Sequence, residues 1–487
     1  MDWLTAPQWW WGRLVLERGV AAVYVVAFVC AARQFRGLIG ERGMLPVPNY
    51  LAHRSFRTTP SLFHLHYSDA FFTSVCWAGA TISAAIAAGL ADAVPVWAAC
   101  LLWLLLWGLY LSIVNVGQIW YSFGWESLLL EAGLLVVFVG NDDVGPPALV
   151  MWLTRWLLFR VEFGAGLIKL RGDRCWRQLT CLDYHHETQP MPGPLSWFFH
   201  HLPRPFHRME AAGNHVAQLI VPFGLFAPAP IASAAATIIA VTQFWLVLSG
   251  NFAWLNWLTI VLAVSVIDTG SLTTMLGISS PTGMPATQPY WYAALVIAFT
   301  ALVVARSWYP ARNLISRRQR MNSAYDPLHM VNTYGAFGSI NRTREEVILE
   351  GTSSSDVTAE TVWAEYEFRG KPGDVKRLPR QWSPYHLRLD WLMWFLPISP
   401  AYAQTWLIPL CRGLLTNEPS IVRLLRTNPF PDTPPVQIRA TLYRYRFSTA
   451  HELRSEGVWW QRQRIGEYLA PLSLDEASYL SRRFRSG

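Results

Sequence analysis

The segment Trp152–Pro192, WLTRWLLFRVEFGAGLIKLRGDRCWRQLTCLDYHHETQPMP, decides how the chain is read. Its first half is apolar enough to cross a membrane, yet it carries Arg155, Arg160, Glu162 and Lys169. An ionisable group at membrane depth costs about 2.5–3.5 kcal/mol even on the mild insertion scale, and persists where it pairs or lines a working cavity. Arg155, Glu162 and Lys169 stand seven and seven apart, with Phe159 and Gly166 between them. Heptad neighbours on a helix drift by only about 20°, so all five share one face. The spacing predicts a membrane helix whose charged stripe turns toward protein or water.

Lys169 is one of three lysines, with Lys371 and Lys376, among 40 basic residues; the other 37 are arginine. Where positive charge alone was needed, this chain carries Arg. A buried lysine can lose its proton and an arginine cannot, which makes Lys169 a candidate base. The commoner role is structural, a snorkelling lysine that completes an ion pair with Glu162.

Of 487 residues, 52% are hydrophobic and only 15% charged, the balance of a polytopic membrane protein. The 26 Trp and 18 Tyr suit many helix ends at membrane interfaces. The start, MDWLTAPQWWWGRL, lacks a basic n-region and a small-residue cleavage site, so the first helix is expected to act as the insertion signal. Apolar runs at Val15–Ala32, Ala70–Leu90, Pro95–Val116, Ser127–Gly140, Ala148–Leu170, Val216–Ala229, Ile231–Ser249, Phe252–Ile267 and Trp291–Trp308 predict about nine helices. Within them, Glu131 needs a buried partner, which Arg155 or Arg160 can supply. Glu131, Arg155, Arg160, Glu162 and Lys169 are therefore expected to form one polar network. Residues 1–310 read as the membrane domain, 171–211 as a structured cap over it, and 311–330 as a basic linker.

From residue 331 to 487 the pattern becomes that of a soluble α+β domain. EVILEGTSS and TVWAEYEFRG alternate like paired strands, LRLDWLMWFL and TWLIPLCRGLL are helical, and QIRATLYRYRFS is a returning strand. Trp391 and Trp394 share a helical face beside Arg388 and Asp390. Arg and Trp are frequent interface anchors, so these four are candidates for binding a client protein. The competing reading makes both Trp residues core and Arg388–Asp390 a local ion pair.

In the cap, Asp183, His185, His186 and Glu187 offer acid/base or metal-ligating groups. Chain neighbours diverge, so fixing the cap by hydrogen bonds is their expected role, and no metal or cofactor is expected. Cys175 and Cys181 share this loop and can bridge in an oxidising space, whereas Cys30, Cys76 and Cys100 lie in apolar runs as packing residues. No nucleophile elbow, phosphate-binding glycine loop or nucleic-acid motif is present, which argues against a hydrolase, an ATPase or a nucleic-acid partner. The absence of an internal repeat argues against a transporter.

Several long strings carry a family resemblance: RGLIGERGMLP, GWESLLLEAG, RWLLFRVEFGAGLIKLRGD, CWRQLTCLDYHHETQPMPGPLSWFFHHLP, NTYGAFGSINRTREEVILEG, EYEFRGKPGD, PYHLRLDWLMWF, TNPFPDTPP, IRATLYRYRF and GEYL. Together they resemble the lipase maturation factor family over nearly the whole chain. The resemblance implies a chaperone-like folding or assembly factor rather than a catalyst. Its partners would be the lipid bilayer and a client, a secreted lipase or related exported protein. It further implies the endoplasmic reticulum membrane in a eukaryote or the inner membrane in a bacterium. GAGLIKL at 164–170, followed by a polar loop, is also similar to vitamin K-dependent γ-carboxylase. That likeness implies the alternative, a membrane enzyme with Lys169 as its base. The loops at 34–69 and 171–210 and the tail are all Arg-rich, which the positive-inside rule reads as cytoplasmic. The family resemblance implies the opposite side for the tail, and that is the expectation adopted. Asn341-Arg-Thr343 is a glycosylation sequon, relevant only in a secretory pathway.

Overall fold

A computed structural model describes residues 4–279 and 288–485, the last four as backbone only. Its first part is a helical bundle: α1 (Trp10–Leu38), α2 (Asp69–Ala87), α3 (Val96–Val116), α4 (Gly124–Val136) and α5 (Ala148–Arg171). The cap then contributes α6 (Leu182–Thr188) and leads into α7 (Arg204–Leu219). The bundle is completed by α8 (Ala229–Ser249), α9 (Leu255–Val264), α10 (Thr269–Leu276) and α11 (Tyr290–Arg306). The long α1 is the axis, packing on α2, α4 and α9. Close approach is bought with glycine: a Cβ at Gly79 would collide with the Phe28 ring, and one at Gly133 with the Tyr24 hydroxyl.

Five helices among the described residues are long and apolar enough to cross a membrane: Pro7–Leu38, Asp69–Ala87, Val96–Val116, Ala229–Ser249 and Tyr290–Ile315. A sixth is possible if α9 and α10, bent by 94°, count as one broken span. The expected count of about nine is thus not met. The Ser127–Gly140 run became α4, only 13 residues and buried along its length. At about 1.5 Å per residue such a helix falls well short of a hydrocarbon core of about 30 Å. The Val216–Ala229 run divides between the end of α7 and a 3-10 turn at Val221–Phe226. Apolarity marks burial in protein as readily as burial in lipid, so short apolar runs inflated the count. α5, charged along its length, is not among these five, and most of its residues are buried.

The tail contains a four-stranded antiparallel sheet of order β2-β1-β3-β4. Its strands are β1 (Arg344–Thr352), β2 (Ala364–Glu365), β3 (Gln437–Phe447) and β4 (Trp460–Ser473). β1 pairs with β3 in unbroken register from Arg344↔Tyr445 to Thr352↔Gln437. TVWAEYEFRG yields only the two-residue β2, and β4 is a second returning strand that strand alternation did not single out. The three tail helices of eight or more residues are α12 (Arg388–Phe395), α13 (Leu407–Leu415) and α14 (Leu474–Arg485).

One hydrophobic core runs from the bundle into the tail. Trp391 packs on Trp125 at 4.9 Å between ring centres, and Trp406 on Trp120 at 5.4 Å. The Gln34 side chain donates to the His386 carbonyl at 2.7 Å and accepts from the Arg388 amide at 3.0 Å. The cap joins the same end: Arg344 donates to the carbonyls of Glu187, Gln189 and Pro190. Cap and tail therefore sit together at one end of the bundle. At the other end buried Arg13 contacts Glu17, Asp92 and Asp142.

Candidate functional site

The charged groups of α5 do not form one network. Arg160 pairs with Glu131 on α4 and also donates to the Asn332 carbonyl at 2.6 Å. Glu131 further accepts from the Asn332 amide at 2.9 Å, the Asn332 side chain at 3.0 Å and the Tyr334 hydroxyl at 2.7 Å. Arg155 lies between Trp9 and Trp152, 4.5 Å from each ring centre, and donates to the Leu225 carbonyl. Glu162 accepts from the Gln243 side chain at 2.6 Å, and Gln243 in turn accepts from Asn256 at 2.6 Å. Lys169 donates to Asn214 at 2.8 Å and Gln218 at 2.9 Å and lies over the Trp176 ring. The expected single network and the expected Glu162–Lys169 ion pair are thus replaced by separate arrangements. Heptad neighbours share a face but stand about 10 Å apart along the axis, so each charge meets a different neighbouring helix.

The cap residues diverge in the same manner. On the short α6, successive side chains turn about 100°. Asp183 binds His207 at 3.0 Å, and His186 faces Glu210 at 3.6 Å. His185 packs on Phe337 and Phe252, and burial holds its pKa well below the ordinary value. Glu187 accepts from the Phe447 amide at 2.7 Å, tying cap to sheet, and burial raises its pKa. Among the described residues no three His, Cys, Asp or Glu side chains converge on a metal-sized point. Cys175 and Cys181 are disulfide-bonded, with Cα atoms 4.8 Å apart.

Arg388, Asp390, Trp391 and Trp394 form no surface patch. Arg388 is fully buried, ion-paired with Glu126 at 2.6 Å and stacked over Tyr121 at 3.5 Å. Asp390 accepts from the amides of Gly370 and Lys371, so it is not the partner of Arg388. Trp391 is 4% exposed, and Trp394 donates to the Thr188 carbonyl of the cap. As client anchors they are in the wrong place: Arg388, Trp391 and Trp394 seat the tail on the bundle and cap, and Asp390 is buried within the tail. His386 is in the same joint, 3.8 Å from Glu126, and burial pushes its pKa down to about 4.

What the elements do build is a cavity of about 460 Å³ between α5, the cap, α7 and α8. Its walls are mostly apolar, among them Trp176, Phe206, Trp245 and Phe337. Its polar groups are Lys169 from α5, His185 and His186 from the cap, and Glu210, Asn214 and Gln218 from α7, with Gln243 and Asn256 opposite. Glu210, Asn214 and Gln218 are spaced four and four, which places them on one helical face. That pattern was readable, but the sequence reading ended the cap near Glu210 and began an apolar span at Val216, cutting α7 in two. The volume lies within the range of about 300–1,000 Å³ for small-molecule sites.

Residues 11–274 match the family model of the lipase maturation factor transmembrane domain, and residues 330–470 match that of the lipase maturation factor C-terminal domain. The chain is 42% identical to Lipase maturation factor 1 of Bos taurus, over 96% of this chain and 90% of the relative. It is 41% identical to Lipase maturation factor 1 of Homo sapiens, over 97% and 90% respectively. Lipase maturation factor 2 of Rattus norvegicus is 27% identical, over 94% and 82%. No solved structure matches the chain significantly.

Proposed function

The chain belongs to the lipase maturation factor family, and on that premise we propose that it is an integral membrane folding or assembly factor for secreted lipases or related exported proteins. The observation that carries the reading is the extent of the likeness to Lipase maturation factor 1, which spans membrane part and tail together. The clasp between them supports it: a tail whose Arg388 and Trp391 are buried against the bundle acts with the membrane part as one body. Residues 1–310, with the cap at 171–211, serve as the membrane platform; 311–330 link it to the tail, 331–487. The client meets exposed tail and cap surface, not the buried joint.

The Cys175–Cys181 bond supports an oxidising, non-cytoplasmic side for cap and tail, because such bonds persist in oxidising compartments. That is the lumenal side of the endoplasmic reticulum or the outer face of a bacterial inner membrane. The Arg-rich loops run against the positive-inside rule, which long folded segments obey weakly.

The test uses cells lacking the protein, with and without its restoration, and measures secreted lipase activity per unit of secreted lipase. Activity should fall in its absence and return with it. Unchanged specific activity for every secreted lipase tried would overturn the assignment.

A further inference from the structure

We propose that the cavity floored by Lys169 binds a single-chain lipid with an uncharged, hydroxyl-bearing head group, of the monoacylglycerol type. The mouth lies between α7 and α8, where Phe206, Met209, Val241 and Trp245 line the cavity and are also exposed. α8 is long and apolar enough to span the membrane, so this opening faces the lipid phase. The buried polar groups Lys169, His185, His186 and Gln218 line the interior, whereas Glu210 is bonded to Trp245 at the mouth. An occupant must therefore be apolar along its length and polar at one end.

The head group is chosen by what the buried polar atoms lack. Glu210 accepts from the Trp245 indole at 2.8 Å through one carboxylate oxygen, while its other oxygen makes no hydrogen bond and faces His186 Nε2 at 3.6 Å, a gap that a ligand hydroxyl can bridge. Both ring nitrogens of His186 are buried with no hydrogen bond. Lys169 spends two donors on Asn214 and Gln218 and has a third. Polar groups buried without a hydrogen bond are costly, so a ligand that completes them gains affinity. The set demands a head that both donates, to Glu210, and accepts, from Lys169. Vicinal hydroxyls do both. A fatty carboxylate only accepts, and it would bring a second negative charge beside Glu210, with Glu162 close behind Gln243.

α7 also supplies a clean way to close the site. Gly213 lies on its lining face, and a Cβ there meets no atom within 4 Å. Gly213→Trp thus fills the cavity without a clash at its root, and Val241→Trp narrows the mouth from α8. The experiment is native mass spectrometry of the full chain in detergent, titrated with 1-oleoylglycerol and, separately, with oleate. The expected result is a saturable single adduct with 1-oleoylglycerol, weaker adduct formation with oleate, and occupancy lowered at least about tenfold by either Trp variant of unchanged melting temperature. Glu210→Gln should shrink the preference over oleate. Absence of the adduct, its persistence in both folded Trp variants, or oleate binding as tightly would overturn the proposal. If one variant fails to fold, the other decides. No lipase enters this readout, so its failure and that of the maturation reading are separate.

Discussion

Two carboxylates, buried Glu131 and half-buried Glu210, make the instructive comparison. Glu131 has both oxygens engaged, by Arg160, Asn332 and Tyr334, and it ties α4 and α5 to the start of the tail. Glu210 has one oxygen bonded to Trp245 and one that makes no hydrogen bond and only faces His186 at 3.6 Å, and it fronts a void shared with His186 and Lys169. Both residues are acidic and sit among apolar neighbours. The first is completed by the protein and serves the fold. The second is left incomplete where a ligand has room to enter. A buried charge is therefore no indicator of function by itself; the state of its hydrogen-bonding capacity separates the two roles.

The sharpest way to break this contrast is to remove the completed side. Glu131→Ala leaves Arg160 buried and unpaired, and should cost about 3–5 kcal/mol. Trp391→Ala opens a hole in the tail–bundle joint of comparable cost, about 3–5 kcal/mol. Both should appear as loss of folded protein, read as abundance and melting temperature in detergent. A folded Trp391→Ala chain that merely lost client capture would restore this residue as a surface anchor. Replacing Cys175 and Cys181 by Ala removes a six-residue closure, a loss of about 2 kcal/mol by the loop-entropy estimate. In intact cells or vesicles, thiol labelling from the non-cytoplasmic side should reach these two cysteines only after reduction. Labelling without reduction would remove the argument for the oxidising side.

A smaller effect belongs to His386. An unfolded imidazole takes its proton near 6.5, whereas burial holds the folded His386 back to about 4. The unfolded chain thus binds more protons as pH falls. This share of stability is intact above pH 6.5 and is lost down to about pH 4. Melting temperature should fall over that window, and His386→Gln should flatten the fall; an unchanged slope would show that the joint does not sense this proton. The smallest effect is expected at the incomplete site. Lys169→Arg keeps a cation for Asn214 and Gln218, and stability should shift by less than about 1 kcal/mol. Secreted lipase activity should be retained. Its loss in a chain of normal abundance and stability would bring forward deprotonation of Lys169, which arginine cannot reproduce.

The sequence made some of this readable. Glu131 in LLLEAGLLVVF required a cation, and the arginines of α5 were the available ones. The helical pattern of LRLDWLMWF and the alternation of QIRATLYRYRF lie where α12 and β3 lie. What stayed hidden depended on facing surfaces. Whether Trp391 points to solvent or to Trp125 is a property of two segments more than two hundred residues apart. Gln243 and Asn256, neutral and unremarkable in apolar runs, gained meaning only when set against Glu162.

By itself, then, the sequence determined the membrane class, the family, the change of character at the tail and the inward-facing charge on α5. These follow from composition, local period and long ordered strings, all of which are properties of the chain alone. Only the tertiary structure decided which apolar runs form helices long enough to span a membrane, how the five charges are partnered, and that a void remains beside Lys169 and Glu210. Partnering and packing depend on which surfaces meet, and a linear pattern specifies the face of a helix without specifying what lies across from it.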